Sequence, residues 1–557
     1  MQSLAVPSVT SFEQADAIAT QLTSRKHAWT QVSISERSVY LRRCIAGVMA
    51  VAQPWVEASC RAKGIESTQS GEEWFLGPVG LLRHLQQLIQ ALAAAGQPQP
   101  VNWRTRSNGQ VTAQVFPGNL MDRILWTGFS AEVWIEPGQP STQGAIYREQ
   151  HHTGKVALVL GAGNVASIAP MDTLYKLFVE DQVVLLKMNP VNEYIGPFLE
   201  QIFQPLREDG FFEVVYGGAD LGGYLCQHPQ IDTIHMTGSH HTHDVIVWGS
   251  TPEEQAERKA THAPLLSKSI TSELGCVTPI LVVPGNWSEA DIGFQARHIA
   301  AMVAHNASFN CTAGKVVVTA KRWQQREAFL QQFHQELAKT PVRQAYYPGA
   351  QQRYQAFLDH YPQAQALAPR EEVIVPWTVI PDVPAESGEY ALMTEAFCGV
   401  LAEVALDVAD AGEFLTQAVD FANEQVWGTL SCVLLVHPAT RKANAAALEG
   451  AIANLRYGGI GVNVWTGVDF LLGVTTWGAF PGHPLNDIQS GRGVVHNTYL
   501  FDHPQKSVVR APFRIFPTPA WFATHKNLRQ LAQRLAAFEA APGWGKLLGV
   551  ILAAIKG

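Results

Sequence analysis

Four separated residues of this 557-residue chain carry side chains that could act together in one reaction. Asn164 lies in GAGN, Lys187 in LLKMN, Glu273 in SELG and Cys311 in NASFNC. A thiol can serve as a nucleophile, a carboxylate as a general base, and an amide N–H as a donor to an oxyanion. Together with a nucleotide contact from Lys187, these groups are the ones needed to oxidise an aldehyde through a thioester.

The composition indicates a well-packed enzyme of two or three lobes, because 47% of the residues are hydrophobic and 16% are charged. A net charge of −8 gives no basic surface for a nucleic-acid partner. The seven cysteines are dispersed and form no CxxC pair, which indicates reduced thiols. The first residues do not resemble a secretory signal, and no apolar run reaches the roughly 20 residues of a membrane span. We therefore expect a cytoplasmic protein.

The first third of the chain predicts helices followed by extended segments. Ser33 and Glu36 form a capping-box pattern before an apolar-periodic stretch, which predicts the start of a helix. A second helix is predicted near residues 80–95. Residues 97–145 are rich in Gln, Pro, Thr and Val with short alternating segments, and they predict strands or hairpins.

From Lys155 onward, buried strands alternate with helices. VALVLGAG and VVLLKMN predict two strands joined by a helix, and IDTIHMTGS predicts another strand. A second block of the same kind, containing PILVV, GKVVVTA and GTLSCVLLV, follows Glu273. This alternation predicts an α/β fold with parallel sheets and crossover helices in two lobes, with a cleft between them.

The segment GAGNVA at 161–166 allows an ordinary dinucleotide-binding interpretation, because it fits GxGxxA after a strand. In that fold the following strand should end in an acidic residue that binds the ribose. Here it ends in Lys187. The ordinary dinucleotide fingerprint stays open as one interpretation, but the acidic residue that would bind the ribose is absent.

Over about residues 30–495, the order of these motifs resembles the aldehyde dehydrogenase superfamily. Asn164 and Lys187 lie twenty-three residues apart, as in that family. The resemblance implies that the Asn164 amide contributes to the oxyanion hole and that Lys187 contacts the adenosine ribose. HPQIDTIHMTGS is similar to the family segment ending in FTGS, which implies that Gly238 and Ser239 start a helix beside the cofactor pyrophosphate.

The same resemblance assigns the catalytic groups. SELG is similar to the family's ELGG segment, so Glu273 is the implied general base, and NASFNC is similar to NxGQxC, so Cys311 is the implied nucleophile. MTEAFCG is similar to the EIFGP segment, which implies that Glu395 holds the nicotinamide ribose and Phe397 packs beside the ring. Asn463, in VNVW, is expected to support the catalytic loop. The implied cofactor is NAD or NADP.

Three departures from the family pattern bear on the site. Ser308 and Phe309 replace Gly-Gln before the nucleophile, and Phe309 is expected to make the surroundings of the thiol more apolar. The segment GSHHTHD places histidines in the cofactor loop, where we expect cofactor-lining or surface residues and no metal site. Pro190 stands where NAD-preferring members carry Glu, so a 2′-phosphate would not be repelled and NADP is plausible.

The resemblance implies an aldehyde dehydrogenase-like α/β fold whose two lobes are a Rossmann-like cofactor domain and a catalytic domain, with a small β oligomerisation element. Residues 1–120 and 151–272 are assigned to the dinucleotide-binding domain and residues 273–480 to the catalytic domain. Residues 121–150 and 494–515 are assigned to the β element, and residues 516–557 to a C-terminal helical extension. The expected assembly is a homodimer or homotetramer.

The C-terminal extension predicts two helices. The first, at 526–538, has Leu528, Leu531, Leu535 and Phe538 on one face, and the second is the apolar stretch WGKLLGVILAAI. Both are expected to dock on the protein surface or across a dimer. Peripheral membrane contact through the last helix, or a gate over a hydrophobic substrate tunnel, would also fit this pattern.

The expected function is therefore NAD(P)-dependent oxidation of a small-molecule aldehyde to a carboxylic acid through a Cys311 thioester. GAGN in place of PWN is similar to the acyl-CoA reductase branch, so a CoA-dependent aldehyde dehydrogenase or acyl-CoA reductase is an alternative. Glu273 favours hydrolysis instead. A dehydrogenase with an ordinary dinucleotide fold and a non-catalytic dinucleotide-binding family member also stay open.

Overall fold

The computed structural model describes residues 7–149 and 153–557; residues 1–6 and 150–152, at the edges of the predicted domain segments, lie outside it. In chain order, the strands of the described residues are β1 (Asn102–Thr105), β2 (Val111–Phe116), β3 (Ser130–Ile135), β4 (Lys155–Leu160), β5 (Gln182–Lys187), β6 (Phe212–Val215), β7 (Thr233–Gly238), β8 (Ser269–Leu274), β9 (Thr278–Val282), β10 (Gly314–Ala320), β11 (Gln365–Ala366), β12 (Thr378–Ile380), β13 (Val400–Leu406), β14 (Ser431–Leu435), β15 (Gly459–Val462), β16 (Trp477–Gly478), β17 (Gly491–Arg492), β18 (Val494–Val495) and β19 (Pro504–Arg510).

The α-helices of the described residues are α1 (Phe12–Thr30), α2 (Ile34–Ala62), α3 (Gly71–Trp74), α4 (Gly80–Ala93), α5 (Leu120–Leu125), α6 (Ala145–Arg148), α7 (Ile168–Phe178), α8 (Gly196–Ile202), α9 (Gln204–Glu208), α10 (Ala219–Gln227), α11 (His240–Trp248), α12 (Pro252–Thr261), α13 (Glu289–Ala304), α14 (Arg326–Lys339), α15 (Ala350–His360), α16 (Tyr390–Met393), α17 (Ala411–Glu424), α18 (Pro438–Ala443), α19 (Ala445–Asn454), α20 (Thr466–Leu472), α21 (Leu528–Ala540) and α22 (Trp544–Ile555). One turn of π-helix, Phe75–Val79, links α3 to α4.

The first lobe is built on a six-stranded sheet in the order β17-β8-β7-β4-β5-β6. Five of these strands run parallel, and the short β17 is antiparallel to its neighbour β8. Helices cover the sheet, so the central strands β4 and β5 are mostly apolar, and every residue of β5 is buried. The sheet is thus the parallel α/β layer that the sequence predicts.

The second lobe is built on an eleven-stranded sheet in the order β1-β2-β3-β19-β15-β14-β9-β10-β13-β12-β11. Its central strands, from β19 through β12, are parallel, whereas β11 at one edge and β3, β2 and β1 at the other are antiparallel. The predicted α/β fold with two lobes is therefore confirmed.

The predicted boundary at residue 120 does not match the strand pairing. The sequence analysis placed residues 102–116 with the dinucleotide-binding segment. Instead, β1 pairs with β2, β2 pairs with β3, and β3 pairs with β19. The antiparallel β element therefore begins near residue 102, because a hairpin brings β2 against β3 and the sequence pattern of a strand does not show which sheet it joins.

The local signals at the predicted helix starts are confirmed. Ser33 caps α2, and the side chain of Glu36 bonds the Ser33 backbone N–H at 2.9 Å in a complete capping box. The helix predicted near residues 80–95 is α4. The stretch 97–145 holds β1, β2 and β3 as expected, but also the short helix α5, which Asn119 caps.

The C-terminal extension packs on the first lobe. Leu531, Leu535 and Phe538 of α21 are buried against α3, α4 and the π-helical turn. A buried ion pair joins Glu539 to Arg83 of α4 at 3.0 Å. The extension is therefore docked on the protein's own surface. Within residues 7–149 and 153–557, no helix is both long enough and apolar enough to cross a membrane.

Candidate active site

The predicted site residues of the first lobe follow the carboxyl ends of parallel strands. Asn164 follows β4, Lys187 ends β5, Gly238 ends β7 and Glu273 is the penultimate residue of β8. These strands are neighbours in the sheet, so the four positions lie along one edge. In parallel α/β sheets this edge is where ligands bind.

The SGRG segment holds Glu273 in place. The Ser490 carbonyl accepts the Leu274 N–H at 2.8 Å, and Gly491 pairs with Glu273 across β17 and β8. Gly491 has φ +118°, and a Cβ at this position would lie 2.1 Å from the Ser272 carbonyl oxygen. Only glycine fits this close approach, which explains why the motif needs it there.

The loop that carries Cys311 lies between α13 and β10 and has an unusual backbone. Asn306, Ala307 and Ser308 have φ of 54°, 54° and 69° in succession. Left-handed conformations cost non-glycine residues roughly 1 kcal/mol or more each, so surrounding contacts must maintain them. Ser308 occupies the position where the family pattern has glycine, and it adopts the conformation that glycine would favour.

A buried hydrogen-bond network supplies those contacts. The amide Nδ2 of Asn306 donates to the Asn164 carbonyl at 3.0 Å and to the Phe309 carbonyl at 3.1 Å. Lys63 Nζ donates to Glu73 at 2.9 Å, to the Asn164 carbonyl at 3.2 Å and to Asn306 Oδ1 at 3.1 Å. The network ties the β4 loop to the thiol loop.

Sequence reasoning missed Lys63, Glu73 and Tyr346, which complete this network. The Tyr346 hydroxyl lies 3.1 Å from the Asn164 carbonyl and 3.0 Å from Asn306 Oδ1, and it can donate to either. The three residues come from distant parts of the chain and lie in no recognisable motif. No local pattern in their segments distinguishes them from surface residues.

Replacing Lys63 with Met is expected to destabilise the fold by about 3–5 kcal/mol, because it leaves the buried Glu73 carboxylate without a positive partner. Chemical denaturation should show a lower midpoint. Lys339→Met is the matched control, since Lys339 pairs with Glu336 at the surface, and a change within about 0.5 kcal/mol is expected. Equal losses in both variants would contradict the structural role of Lys63.

Cys311 and Glu273 meet in a buried environment that favours their neutral forms. Burial raises the pKa of the Cys311 thiol well above its usual value, and the charge of Glu273 raises it further. Burial likewise raises the pKa of Glu273 to about 8, with a second contribution from the charge of Asp172. Glu273 is only 3% exposed, and its Oε2 has no hydrogen-bond partner among the residues described. That oxygen is free to accept a proton from the thiol or from water.

Asn164 and Cys311 line the same cavity, which measures about 100 Å³. The Asn164 Nδ2 donates to the Phe309 carbonyl at 2.9 Å, two residues before the thiol. The contact turns the Asn164 side chain toward the thiol loop of the other lobe, as the resemblance to the aldehyde dehydrogenase pattern implies. The amide lies where it can serve an oxyanion at Cys311.

The walls of this cavity are mostly apolar, and the aromatic ones come from several parts of the chain. Phe309 is buried against Tyr346, Tyr347 and Phe397 and does not line the cavity, but it belongs to the apolar cluster against which Cys311 packs. The C-terminal extension does contribute, through Trp521. The large aromatic lining residues are Phe75, Trp126, Trp465, Phe470 and Trp521.

The predicted support of the thiol loop by Asn463 is also wrong. The Asn463 side chain accepts the Val436 N–H at 2.7 Å and donates to the Val436 carbonyl at 3.1 Å, both far along the chain from the loop. Trp465 performs the expected role, because its indole N–H donates to the Thr312 carbonyl at 2.7 Å. The VNVW segment therefore does support the thiol loop, but through Trp465 and not through Asn463.

The residues predicted to hold the cofactor border the cleft and fit a dinucleotide. Lys187 is buried, and its Nζ has no hydrogen-bond partner in the described parts of the chain. Gly238 and Ser239 are exposed at the start of the nine-residue helix α11, with the Ser239 hydroxyl accepting the Thr242 N–H. A cation and free helix N–H groups are what a nucleotide ribose and pyrophosphate require.

The nicotinamide end of the predicted site is formed by Glu395 and Phe397. Glu395 accepts the Cys276 N–H at 3.3 Å, and burial raises its pKa. A Cβ on Gly275 would lie 1.9 Å from Glu395 Oε2, so glycine is needed for the carboxylate to approach. Phe397 packs in the aromatic cluster around Phe309. Both positions are available to the cofactor role that the resemblance implies.

The histidines of the GSHHTHD segment lie on or beside α11. His240 is half-buried and packs at 4.6 Å from Trp427, and the buried His243 lies 3.2 Å from Asp244. Within the described residues, no cluster of His, Cys, Asp and Glu has the arrangement of a metal site.

Comparison with known proteins gives a consistent family relationship. Residues 151–353 match the model of the aldehyde dehydrogenase family. A segment of 100 residues is 30% identical to 4-trimethylaminobutyraldehyde dehydrogenase A of Danio rerio, and this alignment spans 18% of the chain and 17% of that relative's length.

Solved structures match over most of the chain. The NAD-dependent aldehyde dehydrogenase from Sinorhizobium meliloti has a TM-score of 0.60 at 16% identity, covering 92% of this chain and 89% of that one. The Mycobacterium tuberculosis aldehyde dehydrogenase complexed with NAD⁺ has a TM-score of 0.61 at 14% identity, covering 92% of both chains. At these identities the structural matches establish the fold.

Proposed function

Because this chain belongs to the aldehyde dehydrogenase superfamily, we propose that it oxidises an aldehyde to a carboxylic acid with NAD or NADP. The observation that carries the proposal is the meeting of three groups from both lobes: the Cys311 thiol, the Glu273 carboxyl and the Asn164 amide. They correspond to nucleophile, base and oxyanion donor. The mostly apolar cavity supports an uncharged group on the carbon side of the aldehyde.

The first half of the reaction depends on Cys311 and Asn164. Glu273 takes the thiol proton, and Sγ of Cys311 attacks the carbonyl carbon of the aldehyde. The resulting oxyanion is stabilised by Asn164 Nδ2 and by the backbone N–H of Cys311. A bound dinucleotide would supply the hydride acceptor, and loss of the hydride leaves the acyl group on Cys311 as a thioester.

The second half of the reaction depends on Glu273. Glu273 first releases the thiol proton to solvent. Its carboxylate then removes a proton from water, and the resulting hydroxide adds to the thioester carbonyl. The C–S bond breaks, the acid leaves, and the Cys311 thiolate takes the proton from Glu273. The buried Oε2 of Glu273 supports this role, because it has no hydrogen-bond partner among the described residues and can accept a proton. The presence of Glu273 favours hydrolysis of the thioester over transfer of the acyl group to CoA.

The cofactor would be held by Lys187 at the adenosine ribose, by Gly238 and Ser239 at the pyrophosphate, and by Glu395 and Phe397 at the nicotinamide end. Pro190 supports NADP as well as NAD, since no carboxylate follows Lys187 at that position to repel a 2′-phosphate. Cytoplasmic location and assembly as a homodimer or homotetramer stay predictions.

The proposal is tested by identifying the product from a panel of apolar aldehydes with NAD or NADP, with and without CoA. We expect the free acid in both cases, with formation dependent on one of the two dinucleotides. Acyl-CoA as the sole product would place the protein in a CoA-acylating branch. Absence of both product and dinucleotide binding would support a non-catalytic member.

Replacing Asn164 with Ala is expected to lower kcat by about 10²–10³-fold through loss of an oxyanion donor. Rapid-reaction measurement of hydride transfer should show the loss in the first half of the reaction. The matched control is Asn192→Ala: Asn192 is equally buried and its amide bonds the Ala162 carbonyl in the same loop, but it does not line the cavity. A similar loss of hydride transfer in both variants would assign Asn164 a purely structural role.

A further inference from the structure

The helix α22 is apolar on two sides, and only one of them is covered by the protein. It packs inward through Leu547, Val550 and Ala553, which are all buried. The other side carries four large apolar side chains that are 50–58% exposed: Trp544, Leu548, Leu552 and Ile555. Their spacing of four, four and three residues places them along one face of the helix. This exposed row is the apolar stripe of α22.

Exposed apolar side chains on two neighbouring segments extend the stripe. The helix α5 packs beside α22, and its Leu120 and Ile124, one turn apart, are both exposed. Phe516 is 84% exposed and lies near the end of α22, because the hydroxyl of Thr518 is 3.5 Å from the Gly557 carbonyl. The stripe and these three side chains together form the apolar patch. A group of large apolar side chains on adjoining exposed segments marks an interaction site, whereas single ones need no explanation.

The apolar patch borders the catalytic cavity. Trp126 directly follows α5 and lines that cavity. Ala520 and Trp521, which follow Phe516 in the chain, line it as well. The segments that carry the patch therefore also form part of the wall around the mostly apolar cavity of Cys311.

The segment that carries most of the patch is positively charged, although the whole chain has a net charge of −8. Residues 516–557 contain five cations: Lys526, Arg529, Arg534, Lys546 and Lys556. Glu539, the single carboxylate of this segment, is buried in an ion pair with α4. Two of the cations adjoin the stripe, since Arg534 bonds the Gly549 carbonyl at 3.1 Å and the exposed Lys556 directly follows α22. An anionic partner would complement this surface.

We propose that the apolar patch docks on an anionic lipid surface, with α22 lying along that surface. Because α22 has 12 residues, it is about 18 Å long, against about 30 Å for the hydrocarbon core of a bilayer. Its stripe can enter the boundary between headgroups and acyl chains while the adjoining cations meet anionic headgroups. A second copy of the chain fits less well, because a twofold contact would bring the patch against itself and place cations against cations.

Docking does not depend on the proposed function, but it adds to it. An apolar aldehyde partitions into lipid, and the patch would hold the catalytic cavity close to that source. The substrate class that follows, and which does rest on the proposed function, is a long-chain aldehyde carried by a membrane.

Co-sedimentation of the full chain with vesicles tests the docking directly. Wild type is expected to bind vesicles of phosphatidylcholine and phosphatidylserine, and Leu548→Gln/Leu552→Gln is expected to bind them at least about tenfold more weakly. The matched control is Val39→Gln/Val373→Gln, since Val39 and Val373 are each 54% exposed on other segments. Absence of wild-type binding, or an equal loss in the control, would overturn the proposal.

A second pair of variants tests the charge without touching the stripe. Arg534→Gln/Lys556→Gln is expected to lose about tenfold or more in binding to the phosphatidylserine vesicles. Wild type should bind vesicles of phosphatidylcholine alone more weakly, and added salt should weaken only the binding to phosphatidylserine. Binding that is equal on both vesicles contradicts an anionic surface. Sedimentation velocity without lipid covers the remaining occupant: a lower mass in Leu548→Gln/Leu552→Gln than in wild type would make the patch an interface between copies.

Kinetics separate the docking from the proposed function. With a long-chain aldehyde supplied in phosphatidylserine vesicles, KM is expected to rise in Leu548→Gln/Leu552→Gln while kcat is kept. An unchanged KM in a variant that no longer binds vesicles would contradict delivery from the membrane. If no aldehyde is oxidised under any condition, the proposed function fails, and vesicle binding still decides the docking.

Discussion

Replacing Cys311 with Ala is expected to lower aldehyde oxidation by at least about 10³-fold, because no other group in the cavity can form the thioester. The mutant should still bind dinucleotide, since Cys311 lies outside the predicted contacts to the adenosine half of the cofactor. Steady-state production of the reduced cofactor measures the loss, and mass spectrometry after mixing with aldehyde should find an acyl adduct on wild type alone.

The control for this experiment is Cys276→Ala. Cys276 is also buried beside the cleft, but its sulfur bonds the Ser431 carbonyl at 3.8 Å and does not line the catalytic cavity. We expect it to retain activity within several-fold. Full activity in Cys311→Ala would instead indicate hydride transfer without a covalent intermediate, as in a dehydrogenase with an ordinary dinucleotide fold.

The elements that position the catalytic groups were predictable from the sequence. The parallel strands that precede Asn164 and include Lys187 are buried on both faces, so each is a short apolar run that ends near the cleft. These two residues could therefore be placed at one sheet edge, whereas Glu273 lies in the polar strand SITSEL and was assigned through the resemblance. The order of the motifs around Cys311 then indicated that the second lobe supplies the thiol.

The contacts that hold the site together were not predictable in the same way. Lys63 and Tyr346 bond residues that lie 101 to 243 positions away, and each is unremarkable in its own segment. Trp521 lines the cavity because of the path that the C-terminal extension takes over the protein. No local sequence pattern determines that path. The direction in which the Phe309 ring packs, away from the cavity, does not follow from its proximity in sequence to the thiol.

The pairing of β1 and β2 shows the same limit for the fold. Their alternating segments correctly predicted strands, but the choice of sheet depends on which edge is open after the long-range partner β19 is in place. Local pattern gives the type of an element, whereas its neighbours are settled by packing across the whole chain.

Replacing Glu273 with Gln is expected to lower turnover by about 10²–10⁴-fold. Thioester formation should lose less than deacylation, because solvent can also take the Cys311 proton in the first half, whereas water activation needs a base at that position. One equivalent of reduced cofactor per active site should therefore appear in a burst, followed by slow turnover. The acyl enzyme should accumulate and be detectable by mass spectrometry. If the rate of the burst falls by the same factor as turnover, Glu273 is needed chiefly to deprotonate Cys311.

The pH dependence provides the sharper test of Glu273. Its pKa is raised to about 8 and the carboxylate is the active form, so deacylation by wild type should rise with pH through about 8 and level off above it. The charge of Asp172 contributes to that raised pKa, and Thr237 bonds the Asp172 carboxylate at 2.8 Å. Asp172→Asn keeps an acceptor for Thr237 but removes the charge, so it should lower the Glu273 pKa and move the rise to lower pH. If the pH profile of deacylation is unchanged in Asp172→Asn and equally steep in Glu273→Gln, the titrating group is a residue other than Glu273.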